Sequence, residues 1–550
     1  MKRIGVTEKN NRLFSKVNFL FIAGAFCYWV SLPPSGFWFL VFLVPVFWTF
    51  VIEHPQSICF RTIYFGTFFF WIASIWGVAC THPSALLGWL ALIAYLSIYW
   101  SLFFYASRIA VGRFKIPAVW AVPVCWIGCD YLRNHLLGGF PFCSLERALY
   151  RQPLLIQIAD LGGGYLVGGM IMLVGAGLAS GLGAGLGSWR SHEKSVHRYV
   201  WCFCAGLIFV ATLGYGFFQT SGSRINKSTL TVAALQGNIP IRDNDYKERT
   251  RKMLKQFIDL TKIAAQNAQT EKQPLDLIVV PETMGPILLL KYRPDLKPAE
   301  FDNWTDYRVD YWEDRFEQLR TFVQKLGVPI LVGLSTLEFE NPPKPKELNS
   351  AMLIDPKNNR TEYRYDKTRL VMFGEYLPFS EYLPENFFLK KICPEYGYGR
   401  KPVAIPLNGK RLFLSVNICY ESILPHVIRH QILTLKKQGK EPAILVNMSN
   451  DAWFFFSKQI DQHLATHVFR AVENRRPYIT ATNAGFSAII DSRGKIQKIG
   501  KRHEAEVVVG SVSAMDYKTP VYHYIGDIPP IACMLGVGTL IFIGRHKNGN

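Results

Sequence analysis

The sequence predicts two kinds of structure, a polytopic α-helical membrane domain and an α/β domain. Of its 550 residues, 49% are hydrophobic and 14% aromatic, which is too apolar for a wholly soluble protein of this length. Residues 1–220 are nearly continuous apolar runs, whereas residues 228–517 carry charges throughout, and a last apolar run covers 527–545. We therefore expect seven transmembrane helices within 1–220, an α/β domain at 228–517 and an eighth transmembrane helix at 527–545.

The membrane region is divided into spans by short basic gaps. A helix needs about 20 mostly apolar residues to cross a bilayer. Before span seven, twelve Lys and Arg residues fall on the N-terminal side of the membrane and three on the other side. Because basic residues concentrate in cytoplasmic loops, both termini are expected in the cytoplasm and 228–517 outside it. The predicted spans lie near 17–33, 36–52, 60–80, 85–106, 116–132, 163–187, 200–218 and 528–544.

Charge and cysteine usage narrow the choice of partners. The formal net charge is +20, but the basic residues form no RNA-binding signature. An anionic lipid surface is therefore the simpler partner, and no nucleic acid is expected. Within 228–517 the cysteines are Cys393 and Cys419, so this domain has no disulfide framework. A free thiol there is a candidate for chemistry.

Short β-branched runs alternate with amphipathic helical stretches between 228 and 515, which predicts an α/β domain with a buried sheet. Such sheets place chemistry where their strands end. Glu282 and Cys419 each follow an apolar run, and Lys367 lies near a turn. The clearest strand candidates are 230–235, 277–280, 330–334, 412–418, 444–446 and 478–482.

Each of these three residues has a plain structural alternative when it is taken alone. Glu282 could cap a helix, Lys367 could be a surface charge, and Cys419 could be an inert core residue. If a helix begins at Cys419, its N-terminus lowers the pKa of the thiol. Together they supply what acyl transfer needs, namely a nucleophile, a proton acceptor and a cation for the tetrahedral oxyanion.

Other candidates are weaker. The sequence has no Gly-x-Ser-x-Gly motif, and His463 and His467 lack the zincin Glu, so we interpret them as helix-face residues and expect no metal. The aromatic run 453–456 fits either a core segment or a lid that touches lipid. Arg133 lies in a charged stretch at a membrane face, where charges are costly unless used, and it could contact a lipid headgroup.

The three residues stand in motifs that resemble the nitrilase, or carbon-nitrogen hydrolase, superfamily: Pro-Glu at 281–282, Asp-Lys at 366–367 and Ile-Cys-Tyr-Glu at 418–421. With the flanking spans and the segments around 131–133 and 139–141, nearly the whole chain resembles the apolipoprotein N-acyltransferase family. Four more segments carry this likeness, namely Gln-Gly-Asn-Ile-Pro at 236–240, Phe-Gly-Glu-Tyr-Leu-Pro at 373–378, Ser-Asn-Asp-Ala-Trp-Phe at 449–454 and Thr-Asn-Ala-Gly at 482–485.

The resemblance implies an α-β-β-α sandwich attached to membrane helices, in the bacterial inner membrane with the sandwich in the periplasm. It implies transfer of a fatty acyl group from a membrane phospholipid, through a Cys419 thioester, to the α-amine of the N-terminal diacylglyceryl-cysteine of apolipoproteins. This chemistry runs without a cofactor, and we expect a monomer. Glu282 would be the base and then the acid, Lys367 the oxyanion stabiliser and Cys419 the nucleophile. Supporting residues would be Glu375, Tyr420 and Glu421, and substrate contacts would be Trp453, Phe454, Arg133 and Asn450.

The chain departs from the family pattern at Asp245, Met372 and Phe455–Phe456, which could alter lipid or acceptor preference. Two other functions stay open at this stage. A membrane-tethered amidase would use the same Glu-Lys-Cys triad with water as acceptor. A transporter or assembly protein would carry the domain without catalysis, although an intact triad argues against this.

Overall fold

The structure is a computed structural model that describes most of the chain. It leaves out residues 1–3, 55–57, 82–84, 187–194, 223–225, 241–245, 271–273, 286, 293–308, 340–344, 358–362, 408–411, 516–518 and 547–550. The described residues form two compact units. The helical unit comprises Met1–Gly222, Phe456–Glu473 and Pro520–Asn550, and the sheet unit comprises Ser223–Phe455 and Asn474–Thr519.

Most of the described residues before 223 are helical, because this part of the chain is almost continuously apolar. Their helices are α1 (Ile4–Ser31), α2 (Leu43–Glu53), α3 (Phe60–Ala79), α4 (Ala85–Gly112), α5 (Ala118–His135), α6 (Pro153–Ile156), α7 (Ala159–Leu186) and α8 (Ser195–Ser221). Each of the first seven predicted spans coincides with a helix. Among the described residues, four stretches are long and apolar enough to cross a membrane: Phe60–Ala79, Ala85–Gly112, Ala159–Ala184 and Val196–Ser221.

Shorter apolar helices cover Lys16–Ser31, Trp38–Glu53 and Ile528–Gly544. Helix α5 is more polar, since its last two turns carry Asp130, Arg133 and His135. The predicted helical membrane region is thus confirmed as a set of apolar helices. The count of eight spans and the domain boundaries stay predictions.

The sheet unit alternates strands and helices, as predicted. Its strands are β1 (Asn226–Gln236), β2 (Leu277–Val279), β3 (Leu288–Tyr292), β4 (Ile330–Phe339), β5 (Lys346–Ile354), β6 (Tyr363–Asp366), β7 (Ala404–Leu407), β8 (Leu412–Ile418), β9 (Ile444–Asn450), β10 (Tyr478–Asn483), β11 (Ala488–Ile490), β12 (Ile496–Ile499) and β13 (Glu506–Met515). Its helices are α9 (Tyr246–Thr270), α10 (Val309–Leu326), α11 (Phe388–Ile392) and α12 (Pro425–Lys437). All six predicted strand runs fall on these strands.

Among the residues that the structure describes, the strands form two sheets. A seven-stranded sheet has the order β13-β1-β2-β4-β5-β6, with β3 paired to β4, and a six-stranded sheet has the order β12-β11-β10-β9-β8-β7. Strands β1, β2 and β4 are parallel in the first sheet, and β8, β9 and β10 are parallel in the second. Parallel strands need buried faces on both sides, which the sandwich provides.

Two cores stabilise this sandwich. The core between the sheets joins side chains such as Val232 and Leu331 of one sheet to Leu414 and Val446 of the other. A second core packs α9 and α10 against the other face of the first sheet, with Phe257 among its buried side chains. The predicted α-β-β-α fold class is confirmed.

Three further helices belong to the helical unit: α13 (Lys458–Asn474), α14 (Val521–Ile525) and α15 (Ile528–His546). Helix α13 comes from within the predicted 228–517 domain, yet residues up to Glu473 group with the apolar helices. Its Gln462 accepts a hydrogen bond from Cys143 N at 2.7 Å, and its Glu473 accepts one from Gly164 N at 3.0 Å. These contacts explain why this segment belongs with the N-terminal helices.

Candidate active site

Glu282 is positioned by the turn that follows β2. The strand is fully buried, and Pro281 and Glu282 continue beyond its end. This turn passes so close to β4 that a Cβ on Gly333 would lie 2.5 Å from Pro281 O and 2.8 Å from Glu282 Cα. A residue without a Cβ is therefore required at Gly333 for the Glu282 backbone to approach this strand.

Three groups hold the Glu282 carboxylate. Asn349 Nδ2 donates to Oε1 at 2.6 Å, and Lys367 Nζ lies 3.4 Å from the same oxygen. Asn450 N donates to Oε2 at 2.9 Å. The side chain is buried. A carboxylate held at both oxygens keeps a fixed orientation, as a proton-transfer group requires.

Lys367 directly follows β6, and its side chain is buried between two carboxylates. Its Nζ donates to Glu375 Oε1 at 2.7 Å in addition to its contact with Glu282. The backbone is also fixed, because Lys367 N donates to Asn349 O at 2.8 Å. Burial on its own would lower the pKa of Lys367, but the charges of Glu375 and Glu282 outweigh it and raise that pKa well above its usual value. The ammonium therefore stays charged.

Cys419 stands at the end of β8 with a positive φ of 50°. Non-glycine residues adopt this conformation at a cost, and it recurs at active sites. Cys419 as a whole residue is half-buried, and the charges of Glu282, Lys367 and Glu375 act on its thiol. Glu282 and Lys367, which come from separate parts of the sequence, thus lie near enough to Cys419 for their charges to act on its thiol.

The expected lowering of the Cys419 pKa was wrong. Burial raises the pKa of the thiol, the Glu282 charge raises it further, and Lys367 lowers it without reversing the result. Cys419 begins a five-residue 3-10 turn, Cys419–Ile423, and not the α-helix whose N-terminus would lower the pKa of its thiol. A neutral resting thiol must lose its proton during attack, which calls for a neighbouring base.

Glu421 hydrogen-bonds both the end of β8, just before Cys419, and the segment that follows Lys367; we call this set of bonds the Glu421 clamp. Its Oε2 accepts Ile418 N at 2.8 Å, one residue before the thiol. Its Oε1 accepts bonds from Tyr365 OH, Thr368 N and Thr368 Oγ1, each at 2.7 Å, and from Arg369 N at 3.1 Å. The buried carboxylate thus ties two segments together, and the predicted supporting role of this residue in the reaction stays a prediction.

The other predicted residues of the sheet unit differ in exposure. Tyr420 is half-buried beside the thiol, Phe454 is half-buried, and Trp453 is exposed. Asn450 is buried, and its Oδ1 accepts Asn483 Nδ2 at 3.0 Å while its N–H binds Glu282. Asn450 therefore holds the carboxylate, and its position does not support the predicted substrate contact.

Arg133 lies in the helical unit, and its position argues against the predicted headgroup contact. Its side chain is buried, and its Nε and Nη2 bind Asp130 Oδ1 at 3.1 and 2.5 Å. Nη1 donates to Phe140 O at 2.8 Å and Phe142 O at 2.7 Å, and Nη2 also donates to Ser144 Oγ at 2.7 Å. All five guanidinium donors are engaged, so a headgroup would have to displace one of these structural bonds.

Sequence reasoning missed Asn349. It lies in the middle of β5, within an ordinary run of buried residues. A single sequence gives no signal for it, because its contact with Glu282 depends on the sheet order, in which β4 lies between β2 and β5. Of the predicted family departures, Asp245 lies outside the described residues, whereas Met372 and Phe455 are described.

Comparison with known proteins identifies the family to which this chain belongs. Residues 231–519 match the carbon-nitrogen hydrolase family. This match covers more than half of the sequence, and the chain belongs to the carbon-nitrogen hydrolase family. Residues 24–177 match the apolipoprotein N-acyltransferase N-terminal domain. Family models therefore match both the N-terminal helices and the α/β region that follows them.

Two relatives match this chain over most of its length and over most of their own. The apolipoprotein N-acyltransferase of Rhodopirellula baltica is 26% identical over 93% of this chain and 94% of its own length. That of Geobacter metallireducens is 29% identical over 83% of this chain and 80% of its own length. A carbon-nitrogen hydrolase superfamily structure from Xanthomonas campestris is 18% identical, covers 56% of this chain and 97% of its own, and has a TM-score of 0.34. The predicted resemblance to the apolipoprotein N-acyltransferase family is confirmed.

Proposed function

We propose that this enzyme is an apolipoprotein N-acyltransferase that carries the acyl group on Cys419. The observation that supports it is the meeting of Glu282, Lys367 and Cys419 in a chain whose N-terminal helices match the apolipoprotein N-acyltransferase domain. The first substrate is a membrane phospholipid, and the acceptor is the α-amine of a diacylglyceryl-cysteine at the N-terminus of an apolipoprotein.

In the first step, Glu282 takes the proton of the Cys419 thiol as the sulfur attacks an ester carbonyl of the phospholipid. The oxyanion of the tetrahedral intermediate is stabilised by the Lys367 ammonium, whose charge the two carboxylates maintain. The ester C–O bond then breaks, and Glu282 returns its proton to the leaving alkoxide. The products are a lysophospholipid and a thioester on Cys419.

In the second step, the acceptor amine attacks the thioester carbonyl. Glu282 accepts a proton from the amine, the C–S bond breaks, and the proton passes to the Cys419 thiolate. The products are an amide and the free enzyme. An amide is more stable than a thioester, so the transfer proceeds without an added energy source or cofactor.

The proposed reaction takes place at the inner membrane, on its periplasmic side. We infer eight spans in the inner membrane, with both termini in the cytoplasm and the sheet unit in the periplasm, because basic residues are concentrated on one side of the apolar runs. Substrates held in the same membrane have high effective concentration and restricted orientation. The enzyme acts as a monomer.

Product analysis tests this function against an amidase that uses the same three residues. The purified enzyme is incubated with dipalmitoyl phospholipid and a synthetic diacylglyceryl-cysteine peptide, and the products are separated by mass spectrometry. The proposal predicts an N-palmitoylated peptide and lysophospholipid in equal amounts, with none in Cys419→Ala. Free palmitate with unmodified peptide, in amounts that depend on Cys419, would instead indicate hydrolysis.

A further inference from the structure

Phe455 has a backbone conformation that glycine usually supplies. It follows the 3-10 turn Asp451–Phe454 with φ 48° and ψ −136°. A Cβ in this region lies close to the backbone, so the conformation is strained for a bulky L-residue. Such strain persists where the surrounding structure enforces it.

Neighbouring loops enforce this conformation. The His503 side chain hydrogen-bonds the backbone of Phe455. His503 is itself fixed, because its N–H donates to Ala484 O at 3.1 Å and its carbonyl accepts Asn238 Nδ2 at 2.6 Å. The backbone at Phe455 is therefore held by His503, which is itself fixed by contacts with Ala484 and Asn238.

Phe455 is only partly buried in this strained conformation. It remains 37% exposed, and Trp453 in the preceding turn is 42% exposed. Two exposed aromatic residues in one short turn offer apolar surface to a ligand. The turn begins at the candidate active site, since Asn450 N binds Glu282 and the charge of Asp451 acts on the Cys419 thiol.

We propose that Phe455 is a specificity-determining residue that contacts the acyl chain of the donor ester. This inference rests on the proposed function. When Cys419 attacks an ester carbonyl, the group bonded to that carbonyl carbon is the acyl chain, so the chain starts at the sulfur atom. Phe455 follows Asn450 by five residues on the same turn, and an aromatic surface in contact with that chain would favour long, apolar acyl groups over short ones.

Three substitutions separate the ring from the strain. Phe455→Gly removes both, Phe455→Ala removes the ring and keeps the strain, and Phe455→Leu keeps the strain and much of the apolar volume. Tyr311→Ala is the matched control, because Tyr311 is an aromatic residue on α10 that is also 37% exposed. Each purified full-length variant is assayed for acylation of Cys419 by dipalmitoyl and by dihexanoyl phosphatidylethanolamine, and its thermal unfolding midpoint is measured.

We expect the ratio of long-chain to short-chain acylation rates to fall roughly tenfold in Phe455→Gly and Phe455→Ala, and to change little in Phe455→Leu and Tyr311→Ala. We also expect Phe455→Gly to unfold about 2–4 °C above Phe455→Ala, because glycine relieves the strain. An unchanged ratio in the Gly and Ala variants overturns the inference alone. Absence of Cys419 acylation in the unmodified enzyme with both donors overturns the proposed function and this inference with it.

Discussion

The Lys367 ammonium lies closer to the Glu375 carboxylate, at 2.7 Å, than to that of Glu282, at 3.4 Å. Glu375 is thus the main partner of the lysine, and its second oxygen is fixed by Val371 N at 2.8 Å. The Glu282 carboxylate therefore forms a weaker ion pair with Lys367 than the Glu375 carboxylate does. A base that must accept a proton from a thiol works better when it is not neutralised by a close ion pair.

Replacing Glu375 by Gln is therefore expected to impair the reaction. The lysine loses its main partner, its pKa falls because burial acts against the charged form, and its remaining contact draws it to Glu282. We expect the rate of Cys419 acylation to fall roughly 10- to 100-fold in a single-turnover assay. The control is Glu385→Gln, since Glu385 also pairs with a lysine but is 97% exposed. Equal rates for the two variants would show that Glu375 has no such role.

The pKa of Cys419 gives a prediction in which reactivity and catalysis change in opposite directions. Glu282 raises that pKa, so Glu282→Gln lowers it and increases the thiolate fraction at pH 8.5. Alkylation by iodoacetamide, which needs the thiolate, is expected to accelerate roughly two- to tenfold, while enzymatic acylation falls.

Lys367→Met provides the opposite case for the same measurement. Lys367 lowers the pKa of Cys419, so its loss raises that pKa further and slows alkylation at pH 8.5. The expected order of alkylation rates is Glu282→Gln, then the unmodified enzyme, then Lys367→Met. Any other order would mean that these charges do not control the thiol.

The sequence allowed much of this site to be predicted, because the relevant signals are local. Glu282 and Cys419 each stand where a buried apolar strand ends, and such strands are recognisable from short runs of β-branched and apolar residues. The apolar helices were equally clear from continuous hydrophobicity. These features depend on nearest neighbours in the chain.

Features that depend on contacts distant in sequence were not predictable. The pKa of Cys419 is set by burial and by Glu282, which is far away in the chain, whereas the local sequence suggested a helix N-terminus. Arg133 looked available for a lipid, but Asp130 before it and the segment 140–144 after it engage all its donors. The membership of α13 in the helical unit depends on bonds to Cys143 and Gly164, which no periodicity indicates.

Loss of the Glu421 clamp is expected to destabilise the sheet unit. Glu421→Gln removes a charged acceptor from a buried site and turns one acceptor atom into a donor, at a cost of about 1–3 kcal/mol. Tyr365→Phe removes one donor to Glu421 and the acceptor of Gln431 Nε2, and it costs about 1–2 kcal/mol. Thermal unfolding in detergent should rank Glu421→Gln lowest, Tyr365→Phe next and the unmodified enzyme highest.

Glu317→Gln is the control for that series, because Glu317 pairs with Arg320 at 3.2 Å on an exposed helix surface and is 65% exposed. Exposed pairs contribute about 0–1 kcal/mol. Its unfolding midpoint should lie near that of the unmodified enzyme. A Glu421→Gln midpoint equal to that of Glu317→Gln would contradict the clamp.

Membrane topology can be tested with single cysteines introduced at exposed positions in an otherwise cysteine-free chain. Lys262, on α9, is expected in the periplasm, and Arg113, after α4, in the cytoplasm. A membrane-impermeant maleimide should label Lys262→Cys in cells with a permeabilised outer membrane and should label Arg113→Cys after lysis. Labelling of the Arg113 variant before lysis would contradict the proposed orientation.

Mass spectrometry of the purified enzyme after incubation with phospholipid tests the central claim most directly, since that claim is a thioester on Cys419. We expect a mass increase of one fatty acyl group, located on the peptide that contains Cys419, removed by hydroxylamine and absent in Glu282→Gln. A lipid-derived product formed without any adduct on Cys419, or an equal adduct in Glu282→Gln, would contradict the account.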